Sequence, residues 1–366
     1  MTGKEVHYLY QAVYSGKISG NGIFTKKCQA FFEEKYGFRK TLLTTSCTDA
    51  LEMAAILLRI EAGDEVIMPS YTFVSTSNAF VLRGAKIVFA DSYSDNPNID
   101  PASIAALVTP KTKAIVVVHY AGVACNMDAI MAIAKEHNLP VVEDAAQAID
   151  SYYKGRPLGS IADLSAFSFH ETKNIISGEG GMLAINNPAY VERAEIIWEK
   201  GTNRAAFFRG EVNKYGWVDV GSSFLPAETV AAFLFAQLEN LEDIQRKRKA
   251  LWQQYFNGLH RLAAKGYFQL PSVPDYATNN AHMFYLVCNN LKERTKLIKE
   301  LKSKDIHAVF HYLSLHKSDY YTDKHDGRTL PHCDRFADNL VRLPLFYELT
   351  EEEIDQIIAA IEAVYS

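Results

Sequence analysis

Lys173 follows an apolar strand-like run, Phe167-Ser168-Phe169, and precedes a glycine-rich turn, Gly178-Glu179-Gly180-Gly181. An amine becomes a useful nucleophile at neutral pH when it is desolvated or stored as a Schiff base, and apolar residues around one lysine supply that setting. About one strand-helix unit upstream, Val141-Val142-Glu143-Asp144 ends an apolar run on two carboxylates, with Gln147 three residues on. A buried carboxylate is costly without a partner. A pyridinium N–H is a suitable one, because the ion pair keeps the ring able to accept electrons, and each pKa unit so gained is worth about 1.4 kcal/mol. A lysine for an aldehyde and an acid for a pyridine nitrogen together suit pyridoxal phosphate (PLP). Two assignments of the acid stay open. Either Asp144 serves the ring, with Gln147 donating to the phenolic oxygen, or Asp144 caps the next turn and Glu143 is the functional acid.

A third group lies in Leu43-Thr44-Thr45-Ser46-Cys47-Thr48-Asp49, where a strand-like run meets a helix whose apolar stripe continues through Leu51, Ala55 and Leu58. Ser46 with Asp49 fits a capping box. Free N–H groups and the dipole at such a terminus attract a phosphate dianion, by roughly 0.3–1 kcal/mol per charge and up to ~2 when partly buried. Taken alone, the same pattern is ordinary capping.

Other chemistries are poorly served. The glycines after Lys173 do not open a helix behind a first strand, so the dinucleotide fingerprint is absent, and no Gly-x-Ser-x-Gly elbow supports a serine hydrolase. His119 and His170 fit structural strand-end histidines as well as catalytic ones. His307, His311 and His316 are loosely spaced, with no His-Glu-x-x-His pattern, so no metal site is expected.

These residues need a scaffold. From about Lys40 to Asn187, β-branched runs alternate with amphipathic stretches: Glu65–Met68, Ala85–Phe89, Ala114–Val118, Pro140–Glu143, Ser165–Ser168 and Gly181–Ile185. That alternation predicts an α/β fold with a mostly parallel sheet between helices. Ligands in such folds bind outside the carboxyl ends of the strands, where Ser70 to Thr72, His119, Asp144 and His170 fall. Helical periodicity from Glu228 to Leu262 predicts one long connecting helix. Beyond Pro271 the pattern becomes a smaller α+β unit: an apolar run at Met283–Cys288, a helix from Arg294 to Lys304, a strand at His307–His311 and a terminal helix from Glu351 to Val364.

The chain has 366 residues, 48% hydrophobic and 12% aromatic, which suits two domains around a substantial core. A net charge of -5 lacks the basic footprint of a nucleic-acid binder, and the run Arg246-Lys247-Arg248-Lys249 reads as a solvated helix face. Five scattered cysteines form no Cys-x-x-Cys pair, so neither a disulfide framework nor a zinc site is expected. With no apolar leader and no run near the ~20 residues that span a bilayer, a cytoplasmic protein without a membrane partner is expected.

In this order, several stretches resemble the sugar aminotransferases of the DegT/DnrJ/EryC1/StrS family, a branch of the fold-type I PLP enzymes. They are Pro69–Thr76, Val118–Gly122, Glu143–Gln147, Phe167–Asn174, Lys200–Arg204 and Arg342–Phe346, and the likeness covers nearly the whole chain. The resemblance implies a mostly parallel seven-stranded sheet in a PLP-binding domain over residues 1–240, with a connecting helix and small α+β domain over 241–366. It implies that Lys173 and Asp144 are catalytic, with Asp144 on the pyridine nitrogen and Gln147 on the phenolic oxygen. Ser46, Cys47, Thr48 and Ser168 then cradle the phosphate and Phe73 stacks on the ring. Pyridoxamine phosphate is the intermediate form of the cofactor. Arg204, Arg209, His311 and Tyr312 are the substrate-binding candidates, the arginines because a guanidinium offers a fork to a pyrophosphate.

His170-Glu-Thr-Lys-Asn174 joined to Lys200-Gly-Thr-Asn-Arg204 further resembles members that move an amino group from L-glutamate to C4 of TDP-4-keto-6-deoxyglucose for surface polysaccharides such as enterobacterial common antigen. Those members are homodimers with active sites at the interface. Two other expectations are compatible with the motifs: amination at C3 of a 3-keto isomer, or a silent PLP-binding regulator. Where many relatives have a Tyr-Asn-Leu segment reaching the partner's phosphate, this chain has Gly221-Ser-Ser-Phe224. Relatives also open with a Pro-Phe-Asn type segment, whereas this chain starts nearly at Val6-His7-Tyr8, so a substrate-facing N-terminal strand is expected to be missing or shifted.

Overall fold

The computed structural model describes residues 1–366. Seven strands, β1 (Lys40–Thr44), β2 (Glu65–Pro69), β3 (Lys86–Ala90), β4 (Thr112–Val118), β5 (Val141–Asp144), β6 (Leu164–Ser168) and β7 (Gly181–Ile185), form one sheet. Their spatial order is β1-β7-β6-β5-β4-β2-β3. All run parallel except β7, which is antiparallel to β1 and β6. Consecutive residues point to opposite faces, and both faces are covered, so the strands read as continuous apolar runs rather than alternating ones. Leu42, Val66, Met68, Val116 and Val142 pack into one core, while Leu43, Ile67, Ile115, Val117 and Val141 pack into the other.

A second sheet of β8 (Phe268–Gln269), β9 (Phe284–Cys288) and β10 (Leu340–Leu343) is antiparallel. It uses the same period: Met283, Tyr285 and Val287 join the first core of the large sheet, while Phe284, Leu286 and Cys288 face Leu251, Tyr255, Leu297 and Ile361. The small unit is thus packed directly against the large one. No helix is long and apolar enough to cross a membrane.

Three expectations are corrected. The long connecting helix is two helices, Glu228–Glu239 and Leu241–Ala264, broken at Asn240. The Asn240 side-chain amide donates to the Ala236 carbonyl at 2.9 Å, the local competition by which asparagine interrupts a helix. The expected strand at His307–His311 is reduced to a single bridge between Val309 and Arg342. The basic run is not wholly a solvated face: Arg248 is buried, donating to the carbonyls of Ala281 (3.1 Å), His282 (2.8 Å) and Leu345 (3.3 Å). Burial pushes its guanidinium down to about 9, with the positive Arg342 adding to the effect, and no carboxylate pairs with it.

Candidate active site

The ends of β1, β2, β4, β5 and β6 open on a cavity of about 460 Å³, lined among others by Ser46, Cys47, Thr48, Phe73, Asp144, Gln147, Ser168, Lys173, His311 and Tyr312. Ten of the twelve residues singled out by sequence are therefore brought together. Arg204 and Arg209 are not. They line a separate depression with Lys26, Lys40 and Lys200, and Arg209 is forked onto Glu211 (2.7 Å) and Glu195 (2.8 Å).

At one end of the cavity the helix Cys47–Leu57 begins. The Ser46 hydroxyl accepts from the Asp49 N–H at 3.1 Å, which is half of the expected capping box. The other half is missing, because the Asp49 carboxylate takes the Thr45 hydroxyl instead. The N–H groups of Cys47 and Thr48 have no protein partner, so two donors and the helix dipole face the cavity. Gly181 makes this terminus accessible: a side-chain carbon there would overlap the Ser46 carbonyl and the Cys47 amide, so only glycine lets β7 pass beneath them.

At the other end the two neighbouring acids divide their work. Glu143 is fully enclosed and accepts from the amides of Gly159 (2.7 Å), Ile161 (2.9 Å) and Ala162 (2.7 Å) and from His119 Nε2 (2.9 Å). The Cys125 amide lies 3.2 Å from His119 Nδ1, so the ring is fixed with Nε2 carrying the hydrogen given to Glu143. Burial alone raises the Glu143 carboxyl, but the His119 bond and the amides outweigh it and hold the group low. It has no face on the cavity. Asp144 does: its Oδ2 accepts from the Thr76 hydroxyl (2.7 Å) and its Oδ1 from the Ala146 N–H (3.1 Å), which leaves acceptor capacity toward the cavity. Burial raises its carboxyl, opposed by Thr76, Ala146 and the charge of Lys173.

Lys173 is carried on a closed loop. The Phe169 N–H meets the Gly180 carbonyl (2.8 Å), the Glu171 N–H the Gly178 carbonyl (2.9 Å), and the Lys173 N–H the His170 carbonyl (2.9 Å). Its Nζ makes no hydrogen bond or ion pair, and burial lowers the amine, opposed by Cys47 and Asp144 and assisted by Arg342. A downward shift of this kind favours the neutral amine that a nucleophile or base needs. Next to it, Asn174 is locked by donation to Gln245 Oε1 (2.8 Å) and the Asn280 carbonyl (2.9 Å), with His282 Nδ1 at 2.9 Å from its oxygen.

Gln147 is fixed between the Ala121 N–H, which its oxygen accepts at 2.6 Å, and the Tyr312 hydroxyl, to which it donates at 3.1 Å. His311 is pushed down to about 2 by burial and by the charges of Arg342 and Lys173, so it is neutral; its Nδ1 lies 3.1 Å from the Tyr120 hydroxyl. Ser75 and Thr76, in the first turn of the helix Val74–Val81 that follows β2, also line the cavity, and no local feature of the sequence singled them out.

An unpaired amine, a buried carboxylate with open acceptor capacity and a helix terminus with two orphan amides fit an aldehyde, a pyridine nitrogen and a phosphate on one flat ring. Set at the carboxyl ends of a mostly parallel sheet, that combination defines a PLP-dependent enzyme of fold type I.

The comparisons with known proteins agree. The DegT/DnrJ/EryC1/StrS aminotransferase family model matches residues 1–362. The chain is 32% identical over 370 residues to the spore coat polysaccharide biosynthesis protein SpsC of Bacillus subtilis, covering 99% of this chain and 94% of that one. An aminotransferase from Psychrobacter cryohalolentis superposes with a TM-score of 0.93 at 30% identity, covering 100% of this chain and 97% of the other. Spr1654 from Streptococcus pneumoniae in its pyridoxamine phosphate form superposes with a TM-score of 0.91 at 26% identity, over 100% and 97% of the two chains. The chain belongs to the DegT/DnrJ/EryC1/StrS aminotransferase family. It is a PLP-dependent sugar aminotransferase, with PLP and pyridoxamine phosphate as the two forms of its cofactor.

Proposed function

We propose that the enzyme moves an amino group from L-glutamate to C4 of TDP-4-keto-6-deoxy-D-glucose, giving TDP-4-amino-4,6-dideoxy-D-galactose for a surface polysaccharide, as a cytoplasmic homodimer. The observation that carries the chemistry is the unpaired Lys173 amine sharing one cavity with Asp144. PLP supplies the electron sink that stabilises negative charge at the carbon losing its proton. Asp144 holds the ring nitrogen, and Ser46, Cys47, Thr48 and Ser168 hold the phosphate. Phe73 would stack on the ring, and Gln147 would contact its phenolic oxygen. Lys173 would hold the aldehyde between turnovers, and its freed Nζ would be the base that moves the proton, a role worth about 10²- to 10⁴-fold.

The sugar nucleotide reading rests on the joined motifs ending in Asn174 and Arg204 and on the polysaccharide role in the name of the SpsC relative. Of the substrate candidates, His311 and Tyr312 line the cavity and are proposed for the sugar; Arg204 and Arg209, in the separate depression with Arg209 paired to Glu195 and Glu211, are not assigned to the pyrophosphate. Large exposed apolar side chains at Val6, Tyr10, Tyr14, Phe208 and Trp217 support self-association.

The test is the product formed from TDP-4-keto-6-deoxyglucose, glutamate and the PLP-loaded enzyme, read by NMR. An axial amine at C4 is expected. An unconverted sugar, with turnover of a 3-keto isomer instead, would overturn the C4 assignment. Lys173→Ala is expected to abolish turnover, and full activity in that variant would remove the role given to Lys173.

A further inference from the structure

The turn that follows β2 reaches both ends of the cavity with adjacent hydroxyls. Ser75 Oγ accepts from the Thr48 hydroxyl (2.8 Å) at the helix terminus, and Thr76 Oγ1 donates to Asp144 Oδ2 (2.7 Å) at the opposite end. Thr76 is fully buried in the first turn of the helix Val74–Val81, and behind it Thr72, 2% exposed, has its Oγ1 2.8 Å from Thr76 Oγ1. An ionised carboxylate only accepts, so the one Thr76 hydrogen goes to Asp144 and the Thr76 oxygen takes the hydrogen of Thr72. The order is therefore fixed: Thr72 donates to Thr76, and Thr76 donates to the carboxylate. Such a chain polarises along its length.

We infer that Thr76, backed by Thr72, is a positioning residue that keeps Asp144 ionised and aimed at the ring nitrogen of the cofactor. The inference rests on the role proposed above for Asp144. The Ala146 N–H on Oδ1 is the only other protein donor to this carboxylate, and it comes from the same strand-end turn as Asp144. It therefore fixes the carboxylate to its own backbone, whereas Thr76 ties it to the turn that also carries Phe73. A hydrogen bond to a buried charge is strong enough that its loss changes an affinity by about ten- to a hundredfold.

The experiment compares the affinities of the apoprotein for PLP and for its 1-deaza analogue, which lacks the ring nitrogen, by equilibrium dialysis. The wild type is expected to prefer PLP. Thr76→Val, nearly isosteric, is expected to shrink that preference by about tenfold or more while leaving analogue binding unchanged, and Thr76→Ser to restore it. Equal weakening of both ligands would make Thr76 merely structural and overturn the inference, as would an unchanged preference. Thr72→Val, expected to shrink the preference less, decides the matter if Thr76→Val fails to fold: an unchanged preference there also overturns the relay. Asp144→Asn separates the two readings. If it retains the preference, Asp144 does not serve the nitrogen; if it loses the preference and Thr76→Val does not, only the relay fails.

Discussion

Gly181→Ala should damage the phosphate end of the site and little else. Gly181 starts β7, paired with Thr44 on one side and Ser168 on the other, and its missing side chain is what allows β7 to lie under the Ser46-Cys47 peptide. The added methyl would meet backbone on both sides of that peptide, and backbone cannot rotate away as a side chain could. Overpacking of this kind costs about 1–3 kcal/mol of stability. Relief comes by pushing the helix Cys47–Leu57 outward, which misaligns the orphan amides of Cys47 and Thr48. Charge-assisted bonds to a phosphate are worth about 1.5–3 kcal/mol each. Degrading both by half removes on the order of 1.5–3 kcal/mol, or about 10- to 150-fold in PLP affinity.

Equilibrium dialysis with PLP and with pyridoxal, which lacks the phosphate, isolates the effect. Gly181→Ala should weaken PLP by that factor and pyridoxal hardly at all, with circular dichroism showing a folded protein. An affinity for PLP within threefold of wild type, or an equal loss for both ligands, would refute the assignment of this terminus as the phosphate cradle.

Two further outcomes concern stability. Glu5 is buried and accepts from the N–H groups of Thr2 (2.6 Å) and Gly3 (2.8 Å), the Thr2 hydroxyl (2.8 Å) and Gln237 Nε2 (2.7 Å). Burial alone raises its carboxyl, but these donors win and carry it from 4.5 down to about 2. A depressed acid stabilises fully above its unfolded value and loses that contribution as pH falls through the folded one. Glu5→Gln should therefore cost about 1–3 kcal/mol at neutral pH, and the difference from wild type in urea unfolding should close between pH 4.5 and about 2; a gap independent of pH would contradict this. Arg248→Met strips the donors from three carbonyls at once and should lower the urea midpoint by the equivalent of about 2–4 kcal/mol, with Lys unable to restore it because one ammonium cannot span all three acceptors. A midpoint unchanged in Arg248→Met would mean that relief of burying the cation balances the lost bonds.

What the sequence disclosed and what it concealed follow from how local each feature is. The strands of the large sheet are legible because both their faces are buried, so apolar residues run without interruption. Lys173 and the Ser46 terminus are legible because their neighbours in the chain, two glycines and a capping residue, set their conformation. Glu143 and Asp144 are indistinguishable in sequence, since adjacent strand residues face opposite ways and only the partners decide which acid is consumed. Those partners, His119 and the amides of Gly159 to Ala162 for one and Thr76 for the other, lie 16 to 68 residues away along the chain.

Arg248 misleads for the same reason. Its neighbours Arg246 and Lys249 pair with the surface carboxylates Asp243 and Asp150, and nothing local marks the third cation as the one that turns inward to carbonyls 33 to 97 residues distant. The site is therefore readable where a residue's role is fixed by its own turn or strand. It becomes unreadable where the role depends on which long-range partner satisfies a buried polar atom, and Thr76 belongs to that second group: its hydroxyl has no meaning in the sequence until β5 brings Asp144 to within 2.7 Å of it.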